Sequence, residues 1–437
     1  MKKTVDLSVA LRADGGPRRT IGRSSSLRGD SARRRTVRFF TLGCKVNQYD
    51  TQGIREHFLS QGFWEQKNGV PSDVCLINTC TVTSRADRQS KYAIRRAIRV
   101  NPAARIIVTG CLAQKDASAI ADIRGVDFII GKRFLGSALI SDFKGHTRAF
   151  LKVQDGCNNR CSYCKVPLVR GNSRSRALSD IIKEAEGLVK SGFKEIVLCG
   201  ICLGSFGKDL DPKPDLVDII QSLEKIRGLR RLRLSSIEAN DISGDLIKKM
   251  ANSKILCRHL HIPMQSGDDA ILKKMNRSYH RRDYLQLVKR IKKEIPALSV
   301  TTDIMVGFPG ENEKNFSNTI GLVSEIMPLR VHIFPYSPRE LTSAAKYTDI
   351  LSPRIKQERF ARLKEAAGDS SMAFRKQFLN KNIEVLIEEP CGDKAGFWQG
   401  YTDNYIRVLV RSRRDLRNRL LKVKLKTIEE DFMVGQI

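Results

Sequence analysis

Residues 152–171 read KVQDGCNNRCSYCKVPLVRG, a turn that carries Cys157, Cys161 and Cys164 directly after an apolar run at 150–153. Three thiols at this spacing can wrap one face of a metal centre, and only three leave one iron of a four-iron cluster open to another ligand. Structural zinc takes four protein ligands, commonly as two Cys-x-x-Cys pairs, and no nearby fourth Cys or His completes such a set. The spacing therefore points to an iron–sulfur centre at the end of a strand.

Working outward, strands are predicted at 150–153, 195–199, 231–235, 259–263, 299–304 and 330–334, separated by helical stretches at 178–191, 215–225, 281–294 and 316–327. Each helix is long enough to cross over a parallel sheet, so this region reads as a partial (βα)6 barrel. In such folds chemistry sits at the C-terminal ends of the strands. Upstream, strands at 37–42, 74–78, 105–109 and 128–130 alternate with helices as in an open parallel α/β sheet. Downstream, a long charged helix from 353 to about 378 leads to short strands at 383–388, 400–401, 406–410 and 420–425, a small all-β module. The predicted domains are a basic extension (1–35), an α/β domain (36–143), the barrel (144–374) and the β module (375–437).

The upstream strands carry a second set. Cys44 (TLGCKVNQYDTQ), Cys80 (INTCTVTSRADRQS) and Cys111 (VTGCLAQ) each follow a predicted strand, beside Gly43, Thr79 and Gly110. Three thiols at equivalent strand-to-helix loops can converge at one sheet edge. Cys75, Cys199, Cys257 and Cys391 lack cluster spacing and read as core or surface thiols.

Composition narrows the class. The 437 residues hold 78 Lys+Arg against 47 Asp+Glu, a net +31, with 41% hydrophobic residues, as in an ordinary globular chain. No apolar run is long enough to span a membrane, and the N-terminus shows no secretory signal, so eleven cysteines suggest metal binding rather than disulfides. Residues 1–35, Arg- and Ser-rich, read as a disordered flexible extension, with a transit peptide as the alternative. The positive surplus favours a polyanionic partner. Arg85, Arg88, Lys91, Arg95, Arg96 and Arg99 fall on one helical stripe, and Arg407 to Lys426 is a basic run preceded by Phe397, Trp398, Tyr401 and Tyr405 as candidate RNA-stacking groups.

Cys-x-x-x-Cys-x-x-Cys after the first strand of a βα barrel resembles the radical SAM superfamily. With Cys44, Cys80 and Cys111, RGNSRSR (170–176), LRLSSIEAND (232–241), HLHIPMQSGDDAILKKMNR (259–277), TTDIMVGFPGE (301–311) and VHIFPYSPRE (331–340), the chain from about residue 36 onward resembles the methylthiotransferases. That resemblance implies two four-iron clusters, one on Cys157, Cys161 and Cys164 and an auxiliary one on Cys44, Cys80 and Cys111, with S-adenosylmethionine as cofactor and a C-terminal TRAM module that binds RNA. It implies reductive cleavage of S-adenosylmethionine to a 5′-deoxyadenosyl radical, followed by transfer of a methylated sulfur from the auxiliary cluster. No catalytic residue beyond the cluster ligands is required.

Candidates for holding S-adenosylmethionine are Tyr163 before the third cysteine, and Gly200, Ser235, Glu238 and Gln265 at strand ends. GCKVNQYDTQ, with Lys45, looks like the branch that modifies C2 of N6-threonylcarbamoyladenosine at tRNA position 37. The isopentenyladenosine branch tends to show GCQMN and the ribosomal-protein branch GCPKN. These two substrates are the alternatives within the family, and a metal-stabilised RNA-binding protein is the non-enzymatic one. The implied partners are the anticodon stem-loop of tRNA and an electron donor such as flavodoxin or ferredoxin, in a reducing cytoplasm. The chain departs from the family pattern at Cys202, where Asn is usual, and at Leu341-Thr342-Ser343, where Gly-Thr-Pro is usual.

Overall fold

The computed structural model describes residues 4–5, 35–67, 69–131, 139–143 and 145–437, which fall into two compact units. The first comprises the chain up to Ile140 together with Lys165–Gly171, and the second comprises Ser141–Cys164 and Asn172–Ile437.

The first unit is built on six strands: β1 (Thr4–Val5), β2 (Thr36–Thr41), β3 (Trp64–Glu65), β4 (Val74–Thr79), β5 (Arg105–Gly110) and β6 (Phe128–Ile130). They lie in the order β1-β6-β5-β4-β2-β3 and every pairing is parallel. Central β4 is buried at every position, which is why the stretch 74–77 reads as a continuous apolar run rather than an alternation. Its Cys75 and Ile77 join Ile94 and Ala97 on one face, while Leu76 joins Val37, Ile54 and Phe58 on the other. The helices are α1 (Lys45–Ser60), α2 (Ser84–Val100), α3 (Cys111–Lys115) and, from the returning segment, α4 (Val166–Arg170), with a further short helix at Ala117–Ala121. Of the predicted extension, Thr4–Val5 form a strand beside β6, which corrects disorder at those two positions. Residues 1–3 and 6–34, where the rest of that expectation falls, lie outside the described residues.

The second unit begins with β7 (Arg148–Lys152), the short antiparallel pair β8 (Gln154–Asp155) and β9 (Arg174–Ser175), then β10 (Glu195–Cys199), β11 (Arg231–Leu234), β12 (His259–His261), β13 (Ser299–Val306) and β14 (Arg330–Pro335). The parallel sheets β7-β10-β11 and β12-β13-β14 are joined by bridges from Leu232 to Leu256 and from Ser236 to His261. The result is the expected partial barrel of six strands in chain order, with β7 and β14 as its edges. The helix Pro353–Lys376, started by Ser352, whose Oγ accepts from the Ile355 N–H, leads to β15 (Asn382–Pro390), β16 (Phe397–Thr402), β17 (Arg407–Arg411), β18 (Leu420–Ile428) and β19 (Met433–Gln436). These close into a five-stranded barrel in the order β15-β16-β17-β19-β18.

The small barrel packs its β16–β17 turn into the N-terminal end of the large one. Arg233 donates to Glu195 at 2.6 Å and to the carbonyls of Asp403 (2.9 Å) and Thr402 (3.2 Å), while Arg231 donates to the carbonyls of Tyr401 (2.9 Å) and Glu384 (2.8 Å). Tyr401 and Tyr405 stack on each other at 5.0 Å, and Tyr405 also lies 4.5 Å from the His259 ring. These tyrosines are therefore structural plugs rather than free RNA-stacking platforms, and Trp398 packs against the small barrel's core.

Candidate active site

In the first unit, Cys44 precedes α1, Cys80 follows β4 and Cys111 opens α3, so parallel pairing of β2, β4 and β5 brings all three to one sheet edge. The loops approach closely: a Cβ on Gly43 would stand 3.0 Å from the Cys80 Sγ, and one on Gly110 would stand 2.3 Å from Asn78 Oδ1. Both glycines also have left-handed φ, +100° and +94°, so side chains are excluded twice over. Ser90 of α2 fixes Cys80 by donating to its carbonyl at 2.9 Å and accepting from its N–H at 3.1 Å. Asn47 donates to the carbonyls of Leu42 (2.8 Å) and Thr79 (3.0 Å), tying the first two loops together.

Burial pushes the Cys80 thiol up to about 11, with Cys111 and Cys44 pushing the same way and Arg170 opposing them. Arg170 is the residue that reading by spacing alone overlooks. Its guanidinium, almost wholly buried on α4, donates to Cys111 Sγ at 3.4 Å and to Asn47 Oδ1, and pairs with Asp50 at 3.4 Å. A fixed cation beside three convergent thiols suits a thiolate-ligated centre, because it offsets charge that burial would otherwise oppose. The signal was the Arg opening RGNSRSR.

In the second unit, Cys157, Cys161 and Cys164 lie on the loop after β7 and β8, with the Cys164 N–H donating to the Cys161 carbonyl at 3.1 Å. Cys202, at the departure from the family pattern, stands against Cys157. Its hydrogen bond, aided by the Asn159 N–H at 3.4 Å, pulls the Cys157 thiol down to about 7 against burial, while Cys202 itself is pushed up. Cys202 also accepts from Ser205 Oγ at 3.1 Å. Arg277 donates to Cys161 Sγ at 3.3 Å and pairs with Glu238. At Cys157 these contacts favour the thiolate, whereas burial pushes the Cys161 thiol up despite the opposing Arg277 guanidinium.

Beside the loop is a cavity of about 290 Å³, lined by Asn159, Cys161, Glu238, Asp241 and Arg277 among others. Of the residues nominated for S-adenosylmethionine, Glu238 lines it. Ser235 Oγ is buried with no hydrogen-bond partner among the described residues, which suits a polar ligand. Gly200 faces Gln154 instead: a Cβ there would meet Gln154 Oε1 at 2.9 Å. Gln265 has left-handed φ (65°) and donates its backbone N–H to the Asp303 carbonyl at 2.7 Å. The Tyr163 ring packs near Phe308, anchoring the cysteine loop to the apolar cluster of Ile271 and Met275.

Residues 151–323 match the radical SAM superfamily, and residues 36–131 match a family described as uncharacterized protein family UPF0004. A solved radical S-adenosylmethionine methyltransferase from Kitasatospora setae, with cobalamin and a four-iron cluster bound, shares the fold at TM-score 0.53 and 12% identity, over 71% of this chain and 77% of its own. The protein named threonylcarbamoyladenosine tRNA methylthiotransferase MtaB from Bacillus subtilis (strain 168) is 37% identical over 92% of this chain and 96% of its own length. One named tRNA-2-methylthio-N(6)-dimethylallyladenosine synthase from Clostridium tetani is 35% identical over 88% and 92%. The class is thus radical SAM, whose members use S-adenosylmethionine and a four-iron cluster. Within it, the chain belongs to the radical SAM tRNA methylthiotransferase family. No helix among the described residues is long and apolar enough to cross a membrane.

Proposed function

We propose that the protein inserts a methylthio group at C2 of N6-threonylcarbamoyladenosine at tRNA position 37, in line with the Bacillus subtilis relative, which is named a threonylcarbamoyladenosine tRNA methylthiotransferase. The observation that carries this reading is the pair of three-cysteine sets, each gathered at the C-terminal ends of parallel strands in its own α/β unit. We assign a radical SAM cluster to Cys157, Cys161 and Cys164 and an auxiliary cluster to Cys44, Cys80 and Cys111. When bound, the first supplies one-electron cleavage of S-adenosylmethionine and the second supplies sulfur. The chain's own residues hold the thiols in place: Cys202 and the Asn159 N–H stabilise the Cys157 thiolate, Arg277 donates to Cys161 Sγ, and Arg170 donates to Cys111 Sγ. Glu238 and Ser235 offer polar contacts to S-adenosylmethionine in the adjoining cavity.

The exposed stripe of α2 (Arg85, Arg88, Arg95, Arg96 and Arg99) and the exposed Arg411, Arg413, Arg414, Arg417, Lys422, Lys424 and Lys426 of the small barrel supply phosphate contacts for the tRNA anticodon stem-loop. Electrons come from a small soluble donor of the flavodoxin or ferredoxin type, in the cytoplasm.

The test uses anaerobically reconstituted protein with reductant, S-adenosylmethionine and tRNA. Cys157→Ala abolishes S-adenosylmethionine cleavage, whereas Cys80→Ala leaves cleavage and stops sulfur insertion. Normal sulfur insertion by either variant overturns the assignment of the clusters.

A further inference from the structure

Three groups with metal-binding chemistry come from residues outside both cysteine sets. His261 of β12, Asp303 of β13 and His332 of β14 each offer one ligand atom, and these atoms all lie within 4.8 Å of one another. Strand register puts them there: Thr301 pairs with His261 and Asp303 pairs with His332, so the alternation of side chains leaves His261, Thr301, Asp303 and His332 on one face of the sheet. The opposite face carries the fully buried Leu260, Val300 and Ile304. His261 Nε2 already lies 3.2 Å from Asp303 Oδ2, the separation of two ligands that share an ion at about 2.1 Å. His332 is exposed on the edge strand, and its ring centroid lies 5.7 Å from that of His261.

The surroundings add a second layer. Thr301 Oγ1 lies 2.9 Å from both His261 Nδ1 and His259 Nε2. A hydroxyl has one proton, so it donates to one ring and accepts from the other. In the tautomer where His261 Nδ1–H donates to Thr301, a neutral ring turns its Nε2 lone pair to the Asp303 carboxylate, and a cation between them would relieve that repulsion. This tautomer control by a hydroxyl is the outer-shell device that ligating histidines use.

We propose that His261, Asp303 and His332 form a mononuclear site for a divalent metal of the manganese, iron and zinc type, with Thr301 orienting His261. Two imidazoles and a carboxylate on one face leave the remaining coordination positions open, as in sites that take up an oxygen ligand. The metal is distinct from the iron of the cysteine sets and independent of which nucleoside the enzyme modifies.

The test uses the full chain with its cysteine sites loaded with iron and oxidised to the EPR-silent state, so that added metal cannot take the thiols. Mn2+ is titrated in and the free-ion EPR signal followed. Wild type removes one equivalent from solution, and Zn2+ returns it. Asp303→Asn and His261→Ala weaken retention at least about tenfold, and Thr301→Val weakens it by about tenfold without touching a ligand. His332→Ala, on the exposed edge strand, weakens it with iron content and thermal unfolding unchanged, which separates ligation from folding. Failure of wild type to retain Mn2+, or retention by His332→Ala and Asp303→Asn equal to wild type, overturns the proposal and leaves a plain His–Asp hydrogen bond.

Discussion

Arg170 shows how one side chain serves the auxiliary site proposed at Cys44, Cys80 and Cys111 without contributing a ligand to it. It is anchored by Asp50 and Asn47 and donates to Cys111 Sγ, so a positive charge is fixed before any metal arrives. Arg170→Met removes the charge and keeps most of the bulk. It leaves Cys111 and Asp50 buried without their cation, a cost of about 3–5 kcal/mol when one partner of a buried pair is lost. The expected outcome is that iron per chain falls to about half after reconstitution, because the proposed auxiliary site alone is weakened, while S-adenosylmethionine cleavage persists. Iron analysis and a cleavage assay on the same sample check this, and full iron content would show that Arg170 is dispensable.

At the scale of elements, strand cores were legible and their partners less so. The runs at 128–130 and 195–199 match β6 and β10 to the residue, because a buried parallel strand is a continuous apolar run bounded by turn residues. β8, β9 and β3 are two residues each, too short for any period, and β19 carries a glycine that reads as a turn signal. The six cysteines could be found from spacing and loop position. Arg277, Cys202 and Arg170 could not be read from spacing, because their roles come from partners distant in sequence. Tyr401 and Tyr405 were misread for the same reason: an aromatic beside a basic run resembles an RNA platform until the barrel end that it fills is seen.

The helix Asp269–Lys274 gives an element-scale prediction. Asp268 caps it, accepting from the N–H groups of Ala270 (3.0 Å) and Ile271 (3.2 Å) and from Asn318 (2.7 Å). Burial works against ionisation of Asp268, but Asn318, Asn315 and the two N–H groups outweigh it and hold its carboxyl below the usual range. A depressed carboxyl stabilises the fold above its unfolded value of about 3.9, and that contribution is lost as pH falls through the lower folded value. Asp268→Asn, which retains an acceptor for the cap, should flatten the acid limb of a thermal-stability profile below about pH 4. An unchanged acid limb would show that the ionised cap contributes nothing.

For the whole molecule, the closed β barrel and the open βα barrel are held as one unit by buried charge. Burial opposes ionisation of Glu195, yet Arg233, Arg148 and Arg231 keep it below the usual carboxylate range. Arg148 in turn pairs with Glu388 of β15, at 2.5 Å. Glu195→Gln should cost about 3–5 kcal/mol, since buried guanidiniums lose their counter-charge. It should lower the unfolding temperature of both barrels together, as seen by proteolysis, whereas separate transitions would mean that the modules are only tethered. That coupling gives the basic face of the small barrel a fixed place relative to the cysteine loop of the large one, as expected of an enzyme that must present one nucleoside of a tRNA to a radical. The most direct test is mass spectrometry of nucleosides from total tRNA in a strain lacking the gene and in the same strain complemented. The account predicts that the methylthio group on N6-threonylcarbamoyladenosine disappears, leaving the unmodified parent, and returns on complementation. An unchanged level of that nucleoside, or loss of the methylthio group from the dimethylallyl nucleoside instead, would contradict it.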